Sequence, residues 1–207
     1  MSNNAKRAGL TPTLIADAAL ALLDEGSDRS ALTMRSLGSR LGVQAPSLYA
    51  HISGIDEVID LVHARINDDI DISILTGSHD SLDLRAFAHA YRDAYRAHPV
   101  AATIIVSRTI NQDHALRIYE EIARFLADYG LPPEVIMPVM ALFDSLILGS
   151  AVEPFAEGFD TRNTAQFGAH PALAAALKAS DHRHIDDLGF NLGLDAFFAQ
   201  LNLLAAR

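Results

Sequence analysis

Apolar residues recur at three- and four-residue spacing along almost all of this chain, and no segment alternates apolar with polar over the length of a strand. The chain is therefore expected to be all-α, built from helices packed on helices. Alanine is abundant throughout, which favours helix further. The breaks fall at Pro and Gly, and they divide the chain into segments whose ends can be read.

The first segment opens at Thr11-Pro12, where Thr can cap free N–H groups and Pro loses no intrahelical bond. Leu14, Ile15, Ala18, Ala19, Leu22 and Leu23 then form one apolar face, and Gly26 supplies the stop. A second helix is expected from Thr33 to about Leu41, with Leu37 and Leu41 on one face. Gly42 permits a sharp turn, and Val43 can plug the space between two helices. A short third helix follows from about Ala45 to His51, with Pro46 in its first turn and Leu48 and Ile52 inward. A fourth is expected over about 55–70, carrying Val58, Ile59, Val62 and Ile66. Beyond it the spacing predicts helices at about 82–97, 99–107, 112–129, 132–153, 171–179 and 183–205, with a long loop between 154 and 170. A small head, residues 1–54, is thus expected ahead of a larger helical body, residues 55–207.

With 207 residues, half of them hydrophobic, a sizeable core can be buried. The absence of cysteine excludes disulfides, thiolate metal sites and a Cys nucleophile. No apolar h-region follows the N-terminal Lys6-Arg7, and the most apolar stretch, 136–152, is interrupted by Pro138, Asp144 and Ser145. A cytoplasmic protein with no membrane partner is expected. The net charge of −10 argues at first against nucleic acid, but its distribution matters more. Residues 1–55 carry five basic and four acidic side chains, a net of +1, which leaves −11 for the rest. A near-neutral head on an acidic body suits a protein that touches DNA only with its head.

Helix, Gly turn and short helix over 33–51 match the helix-turn-helix arrangement, in which the second helix enters the major groove. On periodicity alone a structural helical hairpin is at least as good a reading. The residues themselves decide further. Thr33-Met34-Arg35-Ser36-Leu37, Leu41-Gly42-Val43 and Ser47-Leu48-Tyr49-Ala50-His51, in this register, resemble the DNA-binding domain of the tetracycline-repressor (TetR) family. Ala97-His98-Pro99, Phe125-Leu126-Ala127-Asp128-Tyr129-Gly130 and Phe190-Asn191-Leu192-Gly193 are similar to that family's C-terminal domain.

The resemblance implies a homodimeric, ligand-responsive regulator, a repressor in the family's usual mode, on a near-palindromic double-stranded operator. It places Thr33 and Arg35 near phosphate or a base edge. Gln44, Ala45, Pro46 and Ser47 would face the groove, and Tyr49 and His51 would reach phosphates. The chemistry of these side chains agrees, since Arg can bond guanine or phosphate at two points and Ser, Tyr and His donate to phosphate. Structural roles compete at three of them: Arg35 as a solvated helix residue, Tyr49 as part of the core, His51 as a helix cap. One departure concerns Ile55, where many family members carry a phosphate-gripping Lys; Asp56 and Glu57 follow it, so weakened DNA binding is expected unless Lys6 and Arg7 assist.

Val139, Leu142, Phe143, Leu146 and Ile147, with Leu192, Leu194, Phe197, Phe198, Leu201 and Leu204, are candidates for a four-helix dimer interface or for subunit core. Phe87, Tyr91, Ile104, Ile105, Ile122, Met137, Met140 and Phe143 could line a mostly apolar effector cavity with few polar contacts, or be ordinary core. No cofactor is expected. The cluster Asp181-His182-Arg183-His184-Ile185-Asp186-Asp187 has metal-ligand chemistry, but its two His lie on different sides of a helix and its acids suit a helix start. An enzyme is disfavoured, because no Gly-x-Ser-x-Gly elbow, phosphate-binding Gly-rich loop or His-Glu-x-x-His is present. A protein that keeps the fold but acts through a protein partner is a third possibility, which Ile55 keeps open.

Overall fold

The structure is a computed structural model that describes residues 9–78, 80–153, 155, 167, 169–180 and 184–206. Among the described residues there are ten α-helices and no strand. In chain order they are α1 (Pro12–Glu25), α2 (Met34–Leu41), α3 (Ala45–Leu48), α4 (Ile55–Asn67), α5 (Ser81–Arg96), α6 (Pro99–Ile105), α7 (Asp113–Asp128), α8 (Pro133–Val152), α9 (Pro171–Ala179) and α10 (Ile185–Ala205).

Most ends follow local chemistry. Thr11 caps α1 by accepting from the Leu14 N–H at 3.2 Å, and the N–H of Gly26 closes it on the Leu22 carbonyl. Two ends differ from expectation. The third helix stops at Leu48 rather than His51, because the N–H groups of His51 and Ile52 both turn back onto the Leu48 carbonyl. The fourth stops at Asn67 rather than Ile70, and Ile70 reaches the core from the following turn. Two 3-10 turns, Arg29–Ala31 and Ile72–Ile74, carry no apolar period; each is set by an Asp whose side chain accepts an N–H two residues on. The loop expected over 154–170 falls largely outside the described residues.

Helix α1 lies along α4, burying Ile15, Ala19 and Leu23 where α4 buries Val58, Ile59 and Val62. Arg65 of α4 reaches Asp17 of α1 at 2.9 Å. Helix α1 also meets α6, where His98 Nδ1 lies 2.9 Å from Asp24. In the body, α8 packs against α5, α7 and α10, and the hydrophobic cluster runs unbroken from α1 to α10. Polar links fix α10 to α5: Arg85 reaches Asp195 at 2.6 Å, and Asp187 takes both Arg92 and Arg96 at 2.7 Å, which holds its carboxyl below the usual range.

By length and hydropathy α8 and α10 could each cross a membrane, yet they are integral to this helical core. Only 28% of the most apolar window of each is buried within the chain, so each keeps an uncovered apolar face. That face is not the one the sequence pattern suggested. Val139, Phe143, Ile147, Leu194, Phe197, Phe198 and Leu201 are spent on the subunit's own core, where the Phe143 and Phe197 rings meet at a tilt with centroids 4.9 Å apart. Leu146 and Leu204 are half-buried, and Leu142 and Leu192 are exposed together with Leu188. The core takes one side of each helix, and the period alone cannot say which apolar positions fall on that side.

Candidate functional site

The head is a hairpin held by its own polar groups. Thr33 Oγ1 accepts the Ser36 N–H at 3.0 Å, and Ser36 Oγ accepts the Thr33 N–H at 2.9 Å, a reciprocal capping box. The Thr33 hydroxyl is therefore committed to starting α2. Gly42 ends α2 at φ +68°, the left-handed conformation that glycine adopts without strain. Gly38, which the sequence analysis passed over, matters as much: a Cβ there would lie 2.9 Å from the Val43 carbonyl oxygen. Its bareness lets the turn fold against α2, with the Val43 N–H bonded to the Gly38 carbonyl at 2.9 Å.

Beneath the hairpin Leu37, Leu48 and Ile52 are buried. Its outer side presents the expected residues. Arg35, Gln44, Pro46, Ser47, Tyr49 and His51 are exposed, and Ala45 is half-buried. Tyr49 keeps 58% of its surface, so it is not core. Arg40 pairs with Glu25, and Arg29 lies 3.7 Å from Asp56. Among the described residues Arg35 has no carboxylate partner. Lys6 and Arg7 fall outside the described residues.

At the start of α4, Ile55 packs against the core rather than facing outward. Asp56 and Glu57 are occupied. Glu57 accepts from the backbone N–H and hydroxyl of Ser53 at 2.7 and 2.8 Å, bonds that hold its carboxyl below the usual range. Asp56 takes Arg108 at 3.1 Å.

The body encloses a cavity of about 60 Å³ between α4, α5, α7, α8 and the segment 105–110. Of the eight residues proposed from sequence, only Tyr91 and Ile105 line it. Phe87, Ile122 and Phe143 are core, and Ile104 is half-buried against that core. Met137 and Met140 line a separate open groove beside α7, which Tyr119 separates from the cavity by bordering both.

The cavity's exposed wall is mostly apolar, as expected, but more polar side chains border it than expected. Its apolar part is Ile105, Val106, Ile110, Ala115, Ile118 and Leu148; its polar part includes His63, Asn67, Tyr95, Arg108, Tyr119 and Asp144. Asp144 Oδ1 accepts from the Tyr119 hydroxyl at 3.0 Å and from Tyr91 at 3.4 Å. Tyr95 donates to Asn67 Oδ1 at 2.9 Å. Burial raises the Asp144 carboxyl and all three tyrosine hydroxyls above their ordinary values. Burial, with His114 second, pulls His63 down to about 4, and its ring meets His114 edge-on at 4.6 Å. Arg108 leaves the wall for α4, reaching Asp60 at 3.0 Å as well as Asp56, and Gln112 donates to the same Asp60 oxygen at 3.0 Å. These polar residues sit one or two to a helix among apolar neighbours, so no sequence motif marks them. The sole signal is an Asp, Asn or His interrupting an apolar face.

No group of three potential metal ligands occurs among the described residues. Asp181, His182 and Arg183 fall outside them. His184 precedes α10 and is exposed, and Asp187 bridges to α5 as described.

A family model described as "Tetracyclin repressor-like, C-terminal domain" matches residues 80–199. An HTH-type transcriptional regulator of Saccharopolyspora erythraea is 31% identical over 172 residues, which cover 83% of this chain and 71% of that protein. The HTH-type transcriptional repressor DrrR1 of Streptomyces coeruleorubidus is 25% identical over 221 residues, 93% of this chain and 81% of that one. Among solved structures, ActR of Streptomyces coelicolor in complex with actinorhodin has the same fold, with a TM-score of 0.74 at 24% identity over 94% of this chain and 96% of ActR.

Proposed function

Because this chain belongs to the tetracycline-repressor family of transcriptional regulators and is not an enzyme, we propose that it is a cytoplasmic, homodimeric repressor released from its operator by a small molecule. The observation that carries this is the hairpin of the head. A capping box and a left-handed Gly42 fix it, and it leaves Arg35, Gln44, Ser47, Tyr49 and His51 exposed within residues 35–51. Residues 1–54 form the DNA-reading head and 55–207 the body, with α4 shared between them. Thr33 starts α2 near phosphate, and Ala45 and Pro46 bring the short α3 to the base edges. Dimerisation falls to the uncovered apolar faces of α8 and α10, which carry Leu142, Leu188 and Leu192. A twofold through those faces sets two heads on successive major grooves, roughly 34 Å apart.

The body's cavity is the effector site under this proposal. ActR, a relative in fold, has been seen with actinorhodin bound. The cavity of about 60 Å³ has room for only a few water-sized groups, so a larger ligand has to part the helices around it. Arg108 stands on that wall and grips Asp56 and Asp60 of α4. A ligand that moves Arg108 is expected to move the start of α4, which follows the hairpin directly in the chain. Release follows if the ligand binds the parted form better than the DNA-bound form.

The test is selection of genomic fragments on the purified protein, then titration of the best fragment at two salt concentrations beside Tyr49→Ala. Tight binding to a near-palindrome, weakened by salt and by the substitution, is the expected result. No enrichment over Tyr49→Ala at low salt would overturn the operator reading and favour a protein partner instead.

A further inference from the structure

The charge on the cavity wall is unbalanced, and in one direction. Arg108 is the wall's guanidinium, and both of its terminal nitrogens are occupied by the carboxylates of Asp56 and Asp60. Asp144 is half-buried and borders the same space, yet no cation pairs with it among the described residues. Its Oδ1 accepts two tyrosine hydroxyls, and Oδ2 takes none of these bonds. His63, the wall's other basic group, is neutral at pH 7 because burial holds it near 4. A carboxylate in such a place is costly unless a positive charge joins it.

Three aromatic rings stand around that carboxylate. Tyr91, Tyr95 and Tyr119 all border the cavity, and the first two lie 5.3 Å apart with their planes tilted. Electron-rich ring faces attract cations, most strongly where water is excluded. From these observations we infer that the cavity takes an organic cation, its ammonium head against Asp144 within the three tyrosines and its apolar remainder along Ile105, Val106, Ile110 and Ile118. Val106 and Ile110 are exposed and mark the mouth. An anionic ligand fits poorly, since it would face Asp144 and find Arg108 already neutralised. The inference deepens the effector reading and rests on the cavity being that site.

The test is calorimetric titration of the full chain with phenethylamine and benzyltrimethylammonium, against 2-phenylethanol and phenylacetate. Both cations should bind, the alcohol at least about tenfold more weakly, and phenylacetate not at all. Asp144→Asn should weaken the cations by about tenfold or more while leaving the alcohol unchanged. Tyr119→Phe keeps the ring and should keep cation binding, whereas Tyr119→Leu should lose it. That pair decides the matter if Asp144→Asn does not fold. Equal binding of alcohol or phenylacetate, cation binding indifferent to Asp144, or no cation binding in the millimolar range would overturn the inference. If the cations bind through Asp144 but leave operator DNA bound, the cation site stands and the effector reading fails. If the operator binds and no cation does, the DNA-binding reading stands and the cation inference fails.

Discussion

The hairpin of the head and the cavity of the body keep their polar groups in opposite places. In the hairpin, Leu37, Leu48 and Ile52 close a small core, and Arg35, Gln44, Ser47 and Tyr49 face solvent. In the body, Asp144, Asn67 and three tyrosines turn inward, while Leu142, Leu188 and Leu192 face out. An outward polar surface on a rigid turn suits a large charged partner that stays in water. An inward polar set with an apolar exterior suits a small partner that is enclosed, and a second subunit that covers the outside. The two regions meet at α4, whose first turn takes Arg108 from the cavity wall and Arg29 from the head.

Truncation should have opposite consequences in the two places. Phe143→Ala removes a ring packed against Phe197 in the body's core and should cost about 3–5 kcal/mol in denaturant unfolding. Tyr49→Ala, on an exposed side chain, should cost less than about 0.5 kcal/mol yet weaken operator binding about tenfold. A comparable loss of stability at Tyr49 would break the contrast.

Next in size is a pH effect confined to the body. Unfolded, His63 titrates at its ordinary value of about 6.5; folded, it titrates at about 4. Between those values the unfolded chain holds the extra proton, so His63 makes stability fall as pH drops from about 6.5 to 4. The loss is on the order of 2–3 kcal/mol. It should disappear in His63→Gln when unfolding free energies at pH 7 and pH 4.5 are compared. Asp144, displaced upward, acts in the opposite sense but is present in both proteins, so the difference isolates His63. An unchanged pH dependence in the variant would show that His63 is not held neutral in the wall.

A smaller effect belongs to the head. Gly42→Ala forces a Cβ into a left-handed turn and should cost about 1–2 kcal/mol, with loss of operator affinity beyond what the change in stability explains. The smallest concerns Ile55. Because Ile55 packs against the core and Asp56 is held by Arg108, Ile55→Lys should change affinity only a few-fold. The salt dependence should steepen by about 0.9 per phosphate newly contacted. A large gain in affinity would mean that the acids at the start of α4 do hold DNA away.

Most helices were legible because their signals are local. Thr11-Pro12, Thr33 and Gly42 each act within four residues, and the helices they bound lie where the spacing put them. The register of the hairpin followed from the same residues. The cavity was legible only at Tyr91 and Ile105. Met137 has the same apolar character as Ile105 but points to the outer groove, and nothing in its neighbours along the chain could show that.

The sequence by itself determined the all-helical class, most of the helix ends and the family, since capping, turn strain and apolar periodicity operate between near neighbours. Tertiary structure alone decided which apolar stripe of α8 and α10 is core, which side chains meet at the cavity, and that Arg108 joins its wall to α4. Asp144 meets Tyr91 across 53 positions of chain and Arg108 meets Asp56 across 52. Such contacts are set by the angles at which helices pack, and those angles depend on the whole core at once.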